Sequence, residues 1–285
     1  MQTIPPCPVP IATDGSIEQP LSYYTTDDDK VWKELFLKQQ TILQTTVCSE
    51  FLTGLKDLPF NEYAVPNVQK ISKKLQRISR FSLVCVGGLI SSQIFFQHLA
   101  HRRFTVGWFV RQRHQMDYLE EPDLFHDLFG HVPLLTHQFY SDIMQLVGIQ
   151  GLKIMKRFAH DDEMRETISN ALLRLYWFTI EFGLIKSPQN ELKLYGAGIA
   201  SSSKEVPHAL YDQSVLRLEF NRPEQLEYIV RTRYFINDVQ KIYFIIPDFQ
   251  FLHAIFQQED LIDQIIMARE KGLLNPDEIQ ALWLS

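Results

Sequence analysis

Apolar residues recur at helical spacing over most of this chain, and that property closes off all-β folds and regular α/β folds. From residue 31 to 55, Val31, Leu35, Leu37, Ile42, Leu43 and Val47 mark one face of a long amphipathic helix. Residues 68–78 repeat the pattern with Lys and Arg on the outer face, and Ser91 and Ser92 open a helix running to residue 101. Further helices are predicted over 122–130, 137–153, 163–181, 202–210, 223–229, 248–268 (with a break possible inside it) and 276–284. Strand-like runs are few and short: 81–88, 104–110, 191–195 and 242–246. They do not alternate regularly with the helices, so a parallel α/β sheet is not expected. The pattern predicts a mostly α fold with small β elements, an α+β domain.

Residues 1–28 carry Pro5, Pro6, Pro8, Pro10 and Pro20 and read as an extended arm, although the first ten read equally well as a disordered tail. Asp27, Asp28 and Asp29 then favour a helix start. Residues 29–285 show no repeat and no linker, and are expected to form one domain.

The net charge of -6 argues against a general nucleic-acid binder, which needs a basic face. The longest mostly apolar stretch, 81–90, contains Gly87 and Gly88 and falls far short of the ~20 residues of a membrane span. The first basic residue is Lys30, and Cys7, Cys48 and Cys85 have no disulfide pattern, which together point to the cytoplasm. The chain has 20 Phe, 11 Tyr and 4 Trp, and composition alone cannot divide them between core and pocket.

No phosphate-binding glycine loop, nucleophile elbow or zinc helix occurs, and Gly196-Ala197-Gly198 reads as a turn. The segment Glu121-Pro122-Asp123-Leu124-Phe125-His126-Asp127-Leu128-Phe129-Gly130-His131-Val132-Pro133 stands out. On a continuous α-helix its two histidines would point about 140° apart. Gly130 could instead form a left-handed C-cap, with Pro133 stopping the helix, and so swing His131 toward His126. For the bare spacing, a capping histidine and a turn histidine are the commoner explanation, since His often serves at helix ends. Glu181 lies in the apolar, aromatic run Tyr176-Trp177-Phe178-Thr179-Ile180-Glu181-Phe182-Gly183. Two imidazoles and a carboxylate are the set that holds non-haem Fe(II), while a salt bridge or a solvent-facing position explains an isolated Glu equally well.

Residues 126–133 and 176–183 together closely resemble the pterin-dependent aromatic amino acid hydroxylases. Gly88-Leu89-Ile90-Ser91-Ser92, Phe109-Val110-Arg111, Tyr195-Gly196-Ala197-Gly198 and Tyr243-Phe244-Ile245 extend the likeness in consistent order over residues 80–250. The chain looks like the short bacterial form, a catalytic domain without an N-terminal regulatory domain. The resemblance implies that His126, His131 and Glu181 bind Fe(II). Arg111 would take the amino acid's carboxylate, with Asp123 orienting it. Pro122, Trp177 and Ile236 would line the substrate pocket, and Ser201 would lie near the carboxylate and the first histidine, unless it caps the helix over 202–210. For the pterin, Phe95 would stack on the ring, Gly88, Ile90 and Ser92 would lie along its edge, and Tyr176 would pack nearby. Asp127 stands where the family tends to carry Glu, so its cofactor-side role is less defined.

The implied reaction is ring hydroxylation by O2, with Fe(II) and a tetrahydropterin, either tetrahydrobiopterin or a bacterial analogue, jointly activating the oxygen. Trp177 looks like the phenylalanine and tyrosine enzymes, and the apolar Ile236 suits phenylalanine or tryptophan, so phenylalanine is the expected substrate. Tryptophan or tyrosine remain alternatives because such pocket differences discriminate by only ~1–3 kcal/mol. Outside this family, a zinc hydrolase and a non-catalytic binder of an aromatic amino acid are the rival readings. The apolar C-terminal pattern does not persist past Gly272 and Pro276, which points to a monomer or dimer.

Overall fold

The first long helix stops where the chain is drawn into a sheet. In the computed structural model, which describes residues 5–116, 121–236 and 238–283, α1 spans Thr26–Thr46 and α2 spans Ser49–Asp57. Thr25 and Asp28 form a capping box at the start of α1, and Asp27, Asp28 and Asp29 face the positive end of its dipole. The single helix expected over 31–55 is therefore two. Val47 turns extended to bridge Leu194, and the Cys48 N–H donates to the Leu194 carbonyl at 2.9 Å.

The next elements are α3 (Val68–Ser79), β1 (Ser82–Val86), α4 (Ser92–Ala100) and β2 (Arg103–Gly107). β1 and β2 pair in parallel with α4 as the crossover. The arm lies along this unit, where Ser16 bridges Val86 and the Ile17 N–H donates to the Cys85 carbonyl. The first four residues of the expected arm lie outside the described residues.

After a π-helical segment, His126–His131, come α5 (Gln138–Arg157) and α6 (Asp162–Tyr176), and a second π segment, Trp177–Glu181, ends α6. Then follow β3 (Leu184–Lys186), β4 (Leu192–Leu194), α7 (Ala197–Ala200), α8 (Glu205–Tyr211), β5 (Leu216–Glu219), α9 (Leu226–Arg231) and β6 (Ile242–Ile246). The chain closes with α10 (Phe249–Gln257), α11 (Leu261–Glu270) and α12 (Pro276–Trp283). The final residue of the helix expected over 276–284 lies outside the described residues.

The second sheet runs β4-β3-β6-β5, with β6 parallel to both β3 and β5. Parallel pairing is thus present, contrary to the sequence expectation, but in small sheets embedded in a helical domain. β3 and β5 were not legible in the sequence because they have only 3 and 4 residues and mixed burial. One large apolar core joins these layers. Phe125 stacks on Phe129 with centroids 4.9 Å apart, and Trp32 and Phe36 of α1 meet this pair edge-on, which seats the first π segment against α1.

Candidate active site

The two histidines converge through π winding. A π segment closes its hydrogen bonds i→i+5, so residues five apart fall on nearly the same face. The expected left-handed cap at Gly130 is not formed. Gly130 lies inside the helical segment, and the described glycines with positive φ are Gly15 and Gly272. A Cβ on Gly130 would stand 2.8 Å from the Ala197 carbonyl oxygen, so the glycine serves close packing against α7. The second π segment shows the same winding, with the Phe182 N–H donating to the Trp177 carbonyl at 2.9 Å. It carries Glu181 to the histidines.

His131 Nε2 lies 3.1 Å from Glu181 Oε1, and His126 Nε2 lies 3.5 Å from Glu181 Oε2. One ligand atom from each of the three residues falls within 4.8 Å of the others, so the set could hold a single metal ion. The tautomer of His126 is fixed by its neighbour. Ser201 Oγ donates to the Ala197 carbonyl at 2.8 Å and therefore accepts from His126 Nδ1 at 2.9 Å, leaving a lone pair on Nε2. Ser201 accordingly does not cap α8. Burial depresses the His126 pKa to about 4, which keeps this imidazole neutral. Burial opposes ionisation of Glu181, but His131 and the Tyr176 hydroxyl outweigh it and hold the carboxyl below its ordinary range. A neutral imidazole lone pair facing an ionised carboxylate calls for a cation between them, and the donor set suits Fe(II).

Arg111 and Asp123 form a buried pair beside this centre. Asp123 Oδ2 accepts from Arg111 N and Nε, each at 2.9 Å, and Asp123 Oδ1 accepts from Arg111 Nη2 at 2.8 Å. Burial works against ionisation of Asp123, but the Arg111 guanidinium overrides it and lowers the pKa. Arg111 Nη1 has no partner among the described residues, and the side chain borders a cavity of about 170 Å³. Pro122, Trp177, Ser201 and Ile236 line the same cavity. The Trp177 indole stacks on Tyr234 at 4.6 Å and 27°.

A second cavity, of about 290 Å³, opens on the other side of the histidines. It gathers Gly88, Ile90, Ser92, Phe95, Asp127 and Tyr176. Phe95 and Tyr176 meet edge to face at 5.7 Å, making an aromatic corner. Asp127 Oδ2 accepts the Gly107 N–H at 2.6 Å, and burial pushes its pKa up to about 7. Pro122, His126 and Glu181 border both cavities, so the candidate metal position lies where the two meet. Every candidate residue named from the sequence lines one or both of these cavities except Asp123, which stands fully buried behind Arg111.

Sequence reasoning missed Thr105, Gly107, Trp108 and Phe109 in the larger cavity, and Glu205 and Gln240 in the smaller. Trp108 and Phe109 could have been found by following β2 onward to Arg111. Gln240 and Glu205 carry no motif and owe their places to long-range packing.

The biopterin-dependent aromatic amino acid hydroxylase family matches residues 14–260. The phenylalanine-4-hydroxylase of Ralstonia nicotianae is 42% identical over 237 residues, covering 83% of this chain and 71% of its own. A crystal structure of Chromobacterium violaceum phenylalanine hydroxylase with iron and phenylalanine bound matches with a TM-score of 0.84 at 36% identity, covering 95% of both chains. Another structure of that enzyme, with iron(III) and 7,8-dihydrobiopterin, gives a TM-score of 0.82 at 37% identity and covers 93% of this chain and 90% of its own. The chain belongs to the biopterin-dependent aromatic amino acid hydroxylases.

Proposed function

We propose that this protein hydroxylates the ring of phenylalanine to give tyrosine, using O2, iron and a tetrahydropterin. The observation that carries this reading is the junction of two unlike cavities at His126 and Glu181, one headed by a guanidinium and the other walled by Phe95 and Tyr176. His126, His131 and Glu181 would hold the iron. When bound, iron and reduced pterin supply the electrons that activate O2.

The chain's own groups do the rest. Arg111, kept in place by Asp123, offers Nη1 to the substrate carboxylate, and Trp177, Pro122 and Ile236 shape an apolar slot for the ring. Ile236 supplies no acceptor for a phenolic hydroxyl, which favours phenylalanine over tyrosine. The Trp177 indole takes up space that a second fused ring would need. On the other side, Phe95 offers a face for the pterin, Gly88, Ile90 and Ser92 its edge, and Asp127 and Tyr176 the inner boundary. Ser201 orients His126.

Anaerobic loading with Fe(II), followed by oxygen uptake with tetrahydropterin and each of phenylalanine, tyrosine and tryptophan, tests the assignment. Uptake with phenylalanine, coupled to tyrosine formation, is expected. Hydrolytic activity without oxygen or pterin, or binding without oxygen consumption, would replace it with a zinc hydrolase or a simple binder.

We further propose one catalytic domain over 29–285 preceded by an arm over 1–28, whose Ser16 and Ile17 lie against β1, and a monomer or dimer in the cytoplasm. Leu252, Ile255, Leu261, Ile265 and Ile279 of the C-terminal helices are buried against the domain rather than presented to a partner, and all three cysteines are free thiols. Among the described residues, no helix is long and apolar enough to cross a membrane. Sedimentation velocity reads the assembly state directly.

A further inference from the structure

The smaller cavity contains a buried amide whose polar atoms are all engaged. Gln240 is 2% exposed and lies just before β6. Its Oε1 accepts the Trp177 indole N–H at 3.0 Å. Its Nε2 donates to the Phe235 carbonyl at 2.8 Å and more weakly to the Asp238 carbonyl at 3.4 Å. Its backbone N–H donates to Glu205 Oε1 at 3.1 Å, and its carbonyl pairs with His208 Nε2 at 2.9 Å. Glu205 is held in turn by the Tyr243 hydroxyl at 2.5 Å.

We propose that Gln240 is the positioning residue that sets the aromatic wall of the amino-acid cavity, and through it the preference for a single benzene ring over an indole. This rests on the phenylalanine reading above. Two walls of the cavity meet on this one side chain. Trp177 is stacked on Tyr234 and packed 4.7 Å from Phe182, contacts that leave its in-plane rotation to be fixed by the N–H. Ile236 sits between the two carbonyls that Gln240 holds, and it is 53% exposed, so packing does little to anchor it. Only a carboxamide accepts from the indole and donates to both carbonyls at once. With the amide gone, the indole and the Ile236 segment are free to part, and the slot loses its exclusion of a larger ring.

The test compares wild type, Gln240→Met and His208→Phe, reading iron content, melting temperature, calorimetric Kd and kcat/KM for phenylalanine and tryptophan. Gln240→Met keeps the side-chain volume but no polar atom. It is expected to bind iron fully while its phenylalanine-to-tryptophan preference falls about tenfold, mainly through KM and Kd rather than kcat. His208→Phe removes a bond to the Gln240 backbone and leaves the amide in place; it is expected to lower the melting temperature and keep the preference. An unchanged preference in folded Gln240→Met, or an equal loss in His208→Phe, overturns the proposal. Where Gln240→Met does not fold, Gln240→Glu keeps the indole acceptor and loses both donors. A partial fall is then expected, and a wild-type ratio overturns the idea. Failure of wild type to turn over any aromatic amino acid shows first, in the control, and refutes the phenylalanine reading itself.

Discussion

The carboxylate of Asp123 joins the substrate side of the site to the metal side. Besides the Arg111 guanidinium, its Oδ1 accepts the backbone N–H of His126 at 2.9 Å. One fully buried acid therefore fixes both the candidate carboxylate anchor and the first turn bearing a candidate iron ligand.

Asp123→Ala is expected to damage stability and binding together. Stripping a buried guanidinium of its partner costs about 3–5 kcal/mol, which denaturant unfolding measures. The KM for phenylalanine should rise at least about tenfold, as befits loss of a charge-assisted anchor. Wild-type KM in a folded Asp123→Ala variant would show that Arg111 does not bind substrate.

Glu181→Ala is expected to abolish turnover with the fold retained. The residue faces His126 and is held by His131 and the Tyr176 hydroxyl, with its carboxylate at the edge of a cavity. Circular dichroism should match wild type while iron content falls. Full coupled turnover by this variant would sink the triad.

Two glycines near the site should respond oppositely to alanine. At Gly130 the new Cβ would lie 2.8 Å from the Ala197 carbonyl oxygen and 3.2 Å from Ala197 Cβ. Separating α7 from the π segment should cost about 1–3 kcal/mol and weaken iron binding, since Ser201 and His131 sit on the two sides of that contact. At Gly88 a Cβ meets nothing within 4 Å, so stability should hold while the KM for pterin rises, because the methyl enters the larger cavity. Unfolding curves, iron titration and pterin kinetics separate the cases. Equal behaviour at both positions would refute the packing account.

Much of the site was legible because its candidate residues fall in short runs, His126 to His131 and Tyr176 to Glu181, that carry the resemblance to the hydroxylases; the spacing alone did not single them out. The reason those residues converge was misread. A glycine five residues after Phe125 looks like a helix end, and π winding leaves no compositional mark. The break between α1 and α2 was hidden for a related reason. Val47 continues the helical apolar pattern, and only its pairing with Leu194, distant in sequence, draws it out of the helix. Glu205 and Gln240 were invisible because their value lies in partners that only the folded chain assembles.

Glu205 also gives the protein a predicted pH signature. Burial raises its pKa above the ordinary value of 4.5, against the hydrogen bonds from Tyr243 and Gln240. The folded state thus holds this proton more tightly than the unfolded chain does. Stability from the group is fully present below the unfolded pKa and is lost as pH rises through the raised folded value. Glu205→Gln keeps an oxygen for both donors and removes the titration. The variant should therefore be the more stable of the two near neutrality, and the gap should close as pH falls toward the ordinary carboxylate range. Urea midpoints for both proteins, taken from about pH 4 to about pH 8, measure the gap. A difference that ignores pH, or widens toward acid, would show that burial does not raise the Glu205 pKa.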